Sequence, residues 1–186
     1  KMEKLYRVIL KKASKKIVPF RCLFELTYRC NLSCVHCYCA NNDKKNELGK
    51  DKIFSVLEEL KDAGCLYLTF SGGEILLRKD FFEIAEKARH LNFALRLFTN
   101  GTLINEDSAG KIKKLAPLSV EISFYGFRNM HDAITRVKGS FDRTINGIRL
   151  LRKNGVRVEG KYILMRENAD EVWKLRKFAI EKLKVK

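Results

Sequence analysis

Cys65–Phe98, CLYLTFSGGEILLRKDFFEIAEKARHLNFALRLF, holds two short apolar runs on either side of one amphipathic stretch. Cys65–Phe70 and Phe93–Phe98 are short, apolar and bounded by turn residues, so they read as buried strands. Between them, Asp80–His90 places Phe81, Ile84, Ala85 and Ala88 on one helical face. Strand, helix, strand in that order makes a parallel pair joined by a right-handed crossover. The same alternation continues outward. Phe20–Thr27 reads as a strand before it, and Leu48–Ala63 as a helix with Ile53, Val56, Leu57 and Leu60 at helical spacing, stopped by Gly64. After it come helix Asn105–Ala116, strand Leu118–Phe124, helix Ser140–Asn154 and strand Val156–Met165. A last helix opens at the Asn168-x-x-Glu171 capping box. The expectation is an α/β fold with a parallel sheet, either an α/β barrel or part of one, or a doubly wound sheet. Tyr125–Gly139 reads as a long loop between the fourth strand and its helix.

The 186 residues suit one domain, and 46% hydrophobic content is enough to bury a core. No apolar run approaches the ~18 residues of a membrane span. The basic start, KMEKLYRVILKKASKK, lacks the apolar region of a secretory signal, so a cytoplasmic protein is the default. The net charge of +16 is spread along the chain and interleaved with Glu, as on a solvated Lys-rich surface. No aromatic-and-basic RNA-binding signature occurs, and nucleic acid is not an expected partner.

Directly after the first strand comes Thr27–Cys39, TYRCNLSCVHCYC. Cys30, Cys34 and Cys37 put three thiols within eight residues, a clustering that points to metal rather than disulfides. A [4Fe–4S] cube with three cysteines keeps one iron open for a ligand. A zinc site made of these three with His36 or Cys39 is the alternative, and would imply a basic nucleic-acid-binding module. Cys22 and Cys65 lie in apolar strands and read as small core residues.

CNLSCVHC followed by Ser71–Glu74, SGGE, resembles the radical S-adenosylmethionine superfamily. Phe98–Thr102 (FTNGT), Ile122–Gly126 (ISFYG) and Met130–Leu151 (MHDAITRVKGSFDRTINGIRLL) follow in the order of its SPASM-type subfamily. The likeness covers Phe20 to Leu183. It implies a partial (β/α)6 barrel whose [4Fe–4S] cluster, on Cys30, Cys34 and Cys37, cleaves bound S-adenosylmethionine reductively. The resulting 5′-deoxyadenosyl radical would abstract hydrogen from a peptide or protein, or from a tetrapyrrole or other cofactor precursor. A ferredoxin or flavodoxin would supply electrons. The resemblance makes Gly72, Gly73, Glu74, Ser123, Arg136, His36 and Asn100 cofactor contacts. Gly72 and Gly73 would meet the methionyl amino group, Ser123 a ribose or carboxylate, Arg136 the methionyl carboxylate and His36 the adenine. Ile75 stands where the family usually has Pro. His131 and Asp132 are expected to order their loop. Each motif follows a predicted strand, and in a parallel barrel those strand ends share one mouth.

The organisation expected is a basic N-terminal segment over residues 1–19 and a core over 20–186. With five strands counted, the core is expected to lack a sixth strand and the subfamily's C-terminal extension. An open sheet edge of that kind invites self-association.

Overall fold

The computed structural model describes residues 2–15, 18–39 and 46–185. Helix α1 spans Met2–Lys15. Then strand and helix alternate: β1 (Arg21–Thr27), α2 (Lys50–Asp62), β2 (Tyr67–Gly72), α3 (Phe81–His90), β3 (Ala94–Thr99), α4 (Glu106–Leu115) and β4 (Ser119–Ser123). Two helices, α5 (Arg128–Thr135) and α6 (Ser140–Lys153), precede β5 (Val158–Lys161), and α7 (Val172–Glu181) closes the series.

The five strands form one sheet in the order β1-β2-β3-β4-β5, each parallel to its neighbour. A doubly wound sheet reverses direction at a switch point. This one never does, so every right-handed crossover delivers its helix to the same face. The doubly wound alternative is thereby excluded, and the architecture is that of a partial barrel.

Alternation along the strands sorts residues between the two faces. Leu68, Phe70, Leu95, Leu97, Val120 and Ile122 are buried in one core with Ile53 and Leu57 of α2 and Phe81 and Ile84 of α3. Ile112 of α4 and Ile148 of α6 complete that layer. The opposite face carries Arg96 and Phe98 on β3, in register with Ser119 and Glu121 on β4. No described helix is long and apolar enough to cross a membrane.

Three elements differ from their sequence reading. The segment expected as a loop over Tyr125–Gly139 contains α5, whose start carries no side-chain cap at Phe127 and so no sequence signal. Strand Val156–Met165 shrinks to Val158–Lys161, because the Val156 N–H still bonds Leu151 O of the preceding helix end. The Asn168-x-x-Glu171 box does not open the last helix. Asn168 lies inside a 3-10 turn over Arg166–Glu171, where its Oδ1 accepts from Met165 N–H at 2.8 Å. Its amide donates to Tyr125 O and Ile163 O, tying the exit of β5 to that of β4. Glu171 is no cap partner of Asn168: its Oε2 accepts from Phe127 N–H at 2.6 Å.

Candidate functional site

The carboxyl ends of the strands bring the sequence motifs together. Cys30–Cys39 leaves β1, Gly73-Glu74 leaves β2, Asn100–Thr102 leaves β3, and Phe124–Gly126 leaves β4. Asn100 is the knot. Its Nδ2 donates to Asn31 Oδ1 at 2.9 Å and lies 3.8 Å from Cys30 Sγ, while Asn31 Nδ2 donates to Thr102 Oγ1 at 2.8 Å. The cysteine loop is also fastened from below. Ser33 N–H donates to Thr135 O at 3.0 Å and Val35 N–H to Ile134 O at 2.9 Å, both in the last turn of α5.

Cys30, Cys34 and Cys37 are free and half-buried. Burial, reinforced by Cys30 and Cys37, pushes the Cys34 thiol up to about 11. Burial likewise raises Cys30. Thiols raised by burial and by each other hold negative charge poorly, and a cationic centre would draw them into the thiolate form. Three soft sulfur donors meeting this way fit an iron–sulfur cluster. Among the described residues, no three His, Cys, Asp or Glu side chains converge closely enough for a single ion. Cys39 is buried beside this group, Cys65 belongs to the core, and Cys22 packs against it.

Glu74 is fully buried. Its carboxylate accepts from Thr99 Oγ1 at 2.7 Å, Asn100 N–H at 2.7 Å and Leu76 N–H at 3.1 Å, so it builds the Asn100 turn. Burial pushes its pKa up. The two glycines before it sit against main chain. Gly73 N–H donates to Thr27 O at 2.7 Å, and a Cβ on either glycine would clash with the backbone of Thr27 or of Tyr28-Arg29, the approach to Cys30.

Tyr125, which sequence reasoning did not single out, forms the wall. Its buried ring meets His36 edge-on at 4.6 Å and stacks on His131 at 5.7 Å. Burial raises its phenol to about 12, against a hydrogen bond to Ser123. The one available signal was its place two residues after Ser123 at a strand end. His36 Nδ1 is buried without a hydrogen-bond partner, a polar atom that a ligand can satisfy. Ser123 is half-buried at the end of β4. Arg136 is exposed in a left-handed conformation (φ 57°), one residue past the carbonyl that receives Ser33.

His131 and Asp132 order this wall. His131 Nδ1 accepts from Tyr125 N–H at 3.2 Å. Asp132 accepts from Gly139 N–H, Phe141 N–H and Ser140 Oγ at 2.6–2.9 Å. Burial lowers the His131 pKa to about 4. The unfolded chain therefore binds a proton at His131 before the folded one does. The stability difference is absent above about pH 6.5 and grows to about 3 kcal/mol as pH falls towards 4. Thermal melts of the unaltered chain and of His131→Gln should diverge in slope over that window. Parallel curves would show that His131 is not the titrating group.

The comparisons with known proteins bear on the family and the fold. The chain is 33% identical over 152 residues to Fe-coproporphyrin III synthase of Methanosarcina barkeri, covering 81% of this chain and 38% of that protein. It is 32% identical over 156 residues to the sporulation killing factor maturation protein SkfB of Bacillus subtilis, covering 83% and 38%. The chain thus spans well under half the length of these curated relatives. The structure of Streptococcus suis SuiB bound to S-adenosylmethionine superposes with a TM-score of 0.80 at 20% identity, over 98% of this chain and 43% of SuiB, and shares its fold. The family model described as the radical SAM superfamily matches residues 24–179, a span that runs from β1 to α7 and takes in every motif at the sheet's mouth. On that match the chain belongs to the radical SAM superfamily, whose cofactors are a [4Fe–4S] cluster and S-adenosylmethionine.

Proposed function

We propose that Cys30, Cys34 and Cys37 ligate the [4Fe–4S] cluster and that the protein modifies a peptide or protein by radical chemistry. The observation that carries this reading is the meeting of three half-buried free thiols with Asn100, Ser123 and Tyr125 at the carboxyl ends of a one-sided parallel sheet. When bound, the cofactors supply a one-electron cleavage that yields methionine and a hydrogen-abstracting 5′-deoxyadenosyl radical. The chain's own part is to position and to exclude water. Asn31 and Asn100 hold the loop's shape, Tyr125 and His36 wall the site against solvent, and Ser123 offers a hydroxyl at its floor. Arg136, just beyond α5, is the cation available for the methionyl carboxylate. Gly72 and Gly73 let the sheet's mouth close tightly on the approach to Cys30. A ferredoxin- or flavodoxin-type reductant, in a cytoplasm that keeps thiols reduced, completes the system.

SkfB is described as a maturation protein, and SuiB has been crystallised with its precursor peptide SuiA, which supports the peptide reading. The likeness to Fe-coproporphyrin III synthase supports a second one, a tetrapyrrole substrate. The cofactor proposal is tested by paramagnetic resonance of the reduced, reconstituted protein. Added S-adenosylmethionine should shift the spectrum, and Ser123→Ala or Arg136→Ala should weaken the shift. A spectrum unchanged at saturating S-adenosylmethionine would leave only electron transfer.

A further inference from the structure

The inside of a packed parallel barrel is filled by layers of branched apolar residues. The inner face of this sheet is charged instead. Glu121, in the middle of β4, is nearly buried, with 8% of its side chain exposed. It makes two ion pairs, through Oε1 with Arg96 at 3.3 Å and through Oε2 with Lys161 at 3.0 Å. Lys161 Nζ also lies 3.5 Å from the centroid of the Phe98 ring, so the ring's face and the carboxylate fix it together. Both cations remain open, Arg96 with 40% and Lys161 with 41% of the side chain exposed. Glu159, in register with Glu121 on the same face, is paired with Arg157 at 2.8 Å, so Arg96 and Lys161 around the one buried carboxylate still leave a net positive charge facing the hollow of the sheet.

A second observation lies on the same face. Ser119 stands opposite Arg96 in register, is 1% exposed, and its Oγ has no hydrogen-bond partner. A buried hydroxyl without a partner costs stability unless something satisfies it. At the other end, Lys161 is in register with Ser123. The charged strip thus begins at the rim of the cofactor site and descends along the face that a molecule held there would touch. Stability alone does not call for such a strip, since an apolar face of similar volume does as well or better than a partly desolvated ion-pair network.

We propose that this face is a carboxylate-binding subsite, in which Arg96 and Lys161 receive an acid group of the substrate while Glu121 holds the two cations apart. The inference rests on the radical SAM reading of the adjoining site and narrows its substrate to an acidic one. The acid can belong to a Glu or Asp side chain of a peptide or to a propionate of a tetrapyrrole. The chemistry that binds it is the same.

The test is binding to the reconstituted protein in the presence of S-adenosylmethionine. The probes are a short peptide of alternating Glu and Ala, its Gln counterpart, coproporphyrin III and its tetramethyl ester. At least one acid should bind about tenfold or more tightly than its neutral counterpart, and which acid does so identifies the source. That advantage should disappear in Lys161→Met and in Arg96→Gln and persist in Lys161→Arg, which keeps the charge and so separates loss of the cation from misfolding. Equal binding of acid and neutral probes, or an advantage that survives Lys161→Met, overturns the subsite. Failure of the underlying reading is seen separately, as a missing spectral response of the unaltered chain to S-adenosylmethionine.

Discussion

Replacing Cys34 with Ala should abolish iron binding, so that anaerobic reconstitution loads about four irons on the unaltered chain and none at this site on the variant. Cys30 and Cys37 should behave in the same way. The size of the effect follows from the number of donors. With the three proposed ligands the cluster would already have one iron without a side chain, and removing another would leave half the cube unanchored. Burial and its neighbours also push the Cys34 thiol up to about 11, so a cationic partner would stabilise its thiolate. Cys39 provides the contrast. It is buried next to the trio but is not among the proposed ligands, so Cys39→Ala should load iron normally. Reconstitution of the unaltered chain that yields one zinc and no iron would refute the cluster, and loss of iron in Cys39→Ala would add a fourth ligand.

Gly73→Ala should lower the melting temperature by several degrees and loosen iron binding without touching any proposed ligand. The new Cβ would clash with the carbonyl oxygen of Arg29 and lie 2.7 Å from its carbon and 3.0 Å from that of Tyr28. All of these atoms are main chain, so no side chain can swing aside. Overpacking of this kind costs about 1–3 kcal/mol or more, which corresponds to roughly 2–4 °C per kcal/mol for a chain of this length. Relief comes only by moving Arg29, and Arg29 leads directly into Cys30. Gly110→Ala is the control, since its Cβ would meet nothing within 4 Å on α4. That change should leave iron loading unaltered and raise stability slightly. Equal melting and iron retention in Gly73→Ala and the unaltered chain would mean that the two strand exits are not rigidly joined.

What the sequence disclosed was what local pattern encodes. The period-2 and period-3.6 runs located every strand and the helices α2, α3, α4 and α6, because each buries its own apolar stripe. The cysteine loop was legible because its three thiols lie within one turn of chain. Helix α5 was missed because its start carries no side-chain cap and its buried residues, His131, Ile134 and Thr135, lie within a polar stretch. Asn168 looked like a helix cap and is instead a bridge between two strand exits, which depends on Tyr125, 43 residues away. The glycines of SGGE were expected to approach a ligand. The structure gives them a second reason to be glycine, the crossing of two backbones, and no spacing in the sequence reveals that crossing. Glu74 likewise reads as a charge near the site, yet it is fully buried, and its bonds to Thr99 and Asn100 exist only once β2 and β3 lie side by side.

The seating of the cysteine loop on α5 bears on how such chains can vary. Ser33 and Val35 hold the loop through peptide N–H groups, and both side chains point to solvent. Selection therefore has a grip on the backbone at these two positions and almost none on the residue, so the letters at 33 and 35 can drift while the shape persists. Proline is the exception, because it alone removes the N–H. A lineage can rewrite these two positions freely, provided that it never writes proline at either seat.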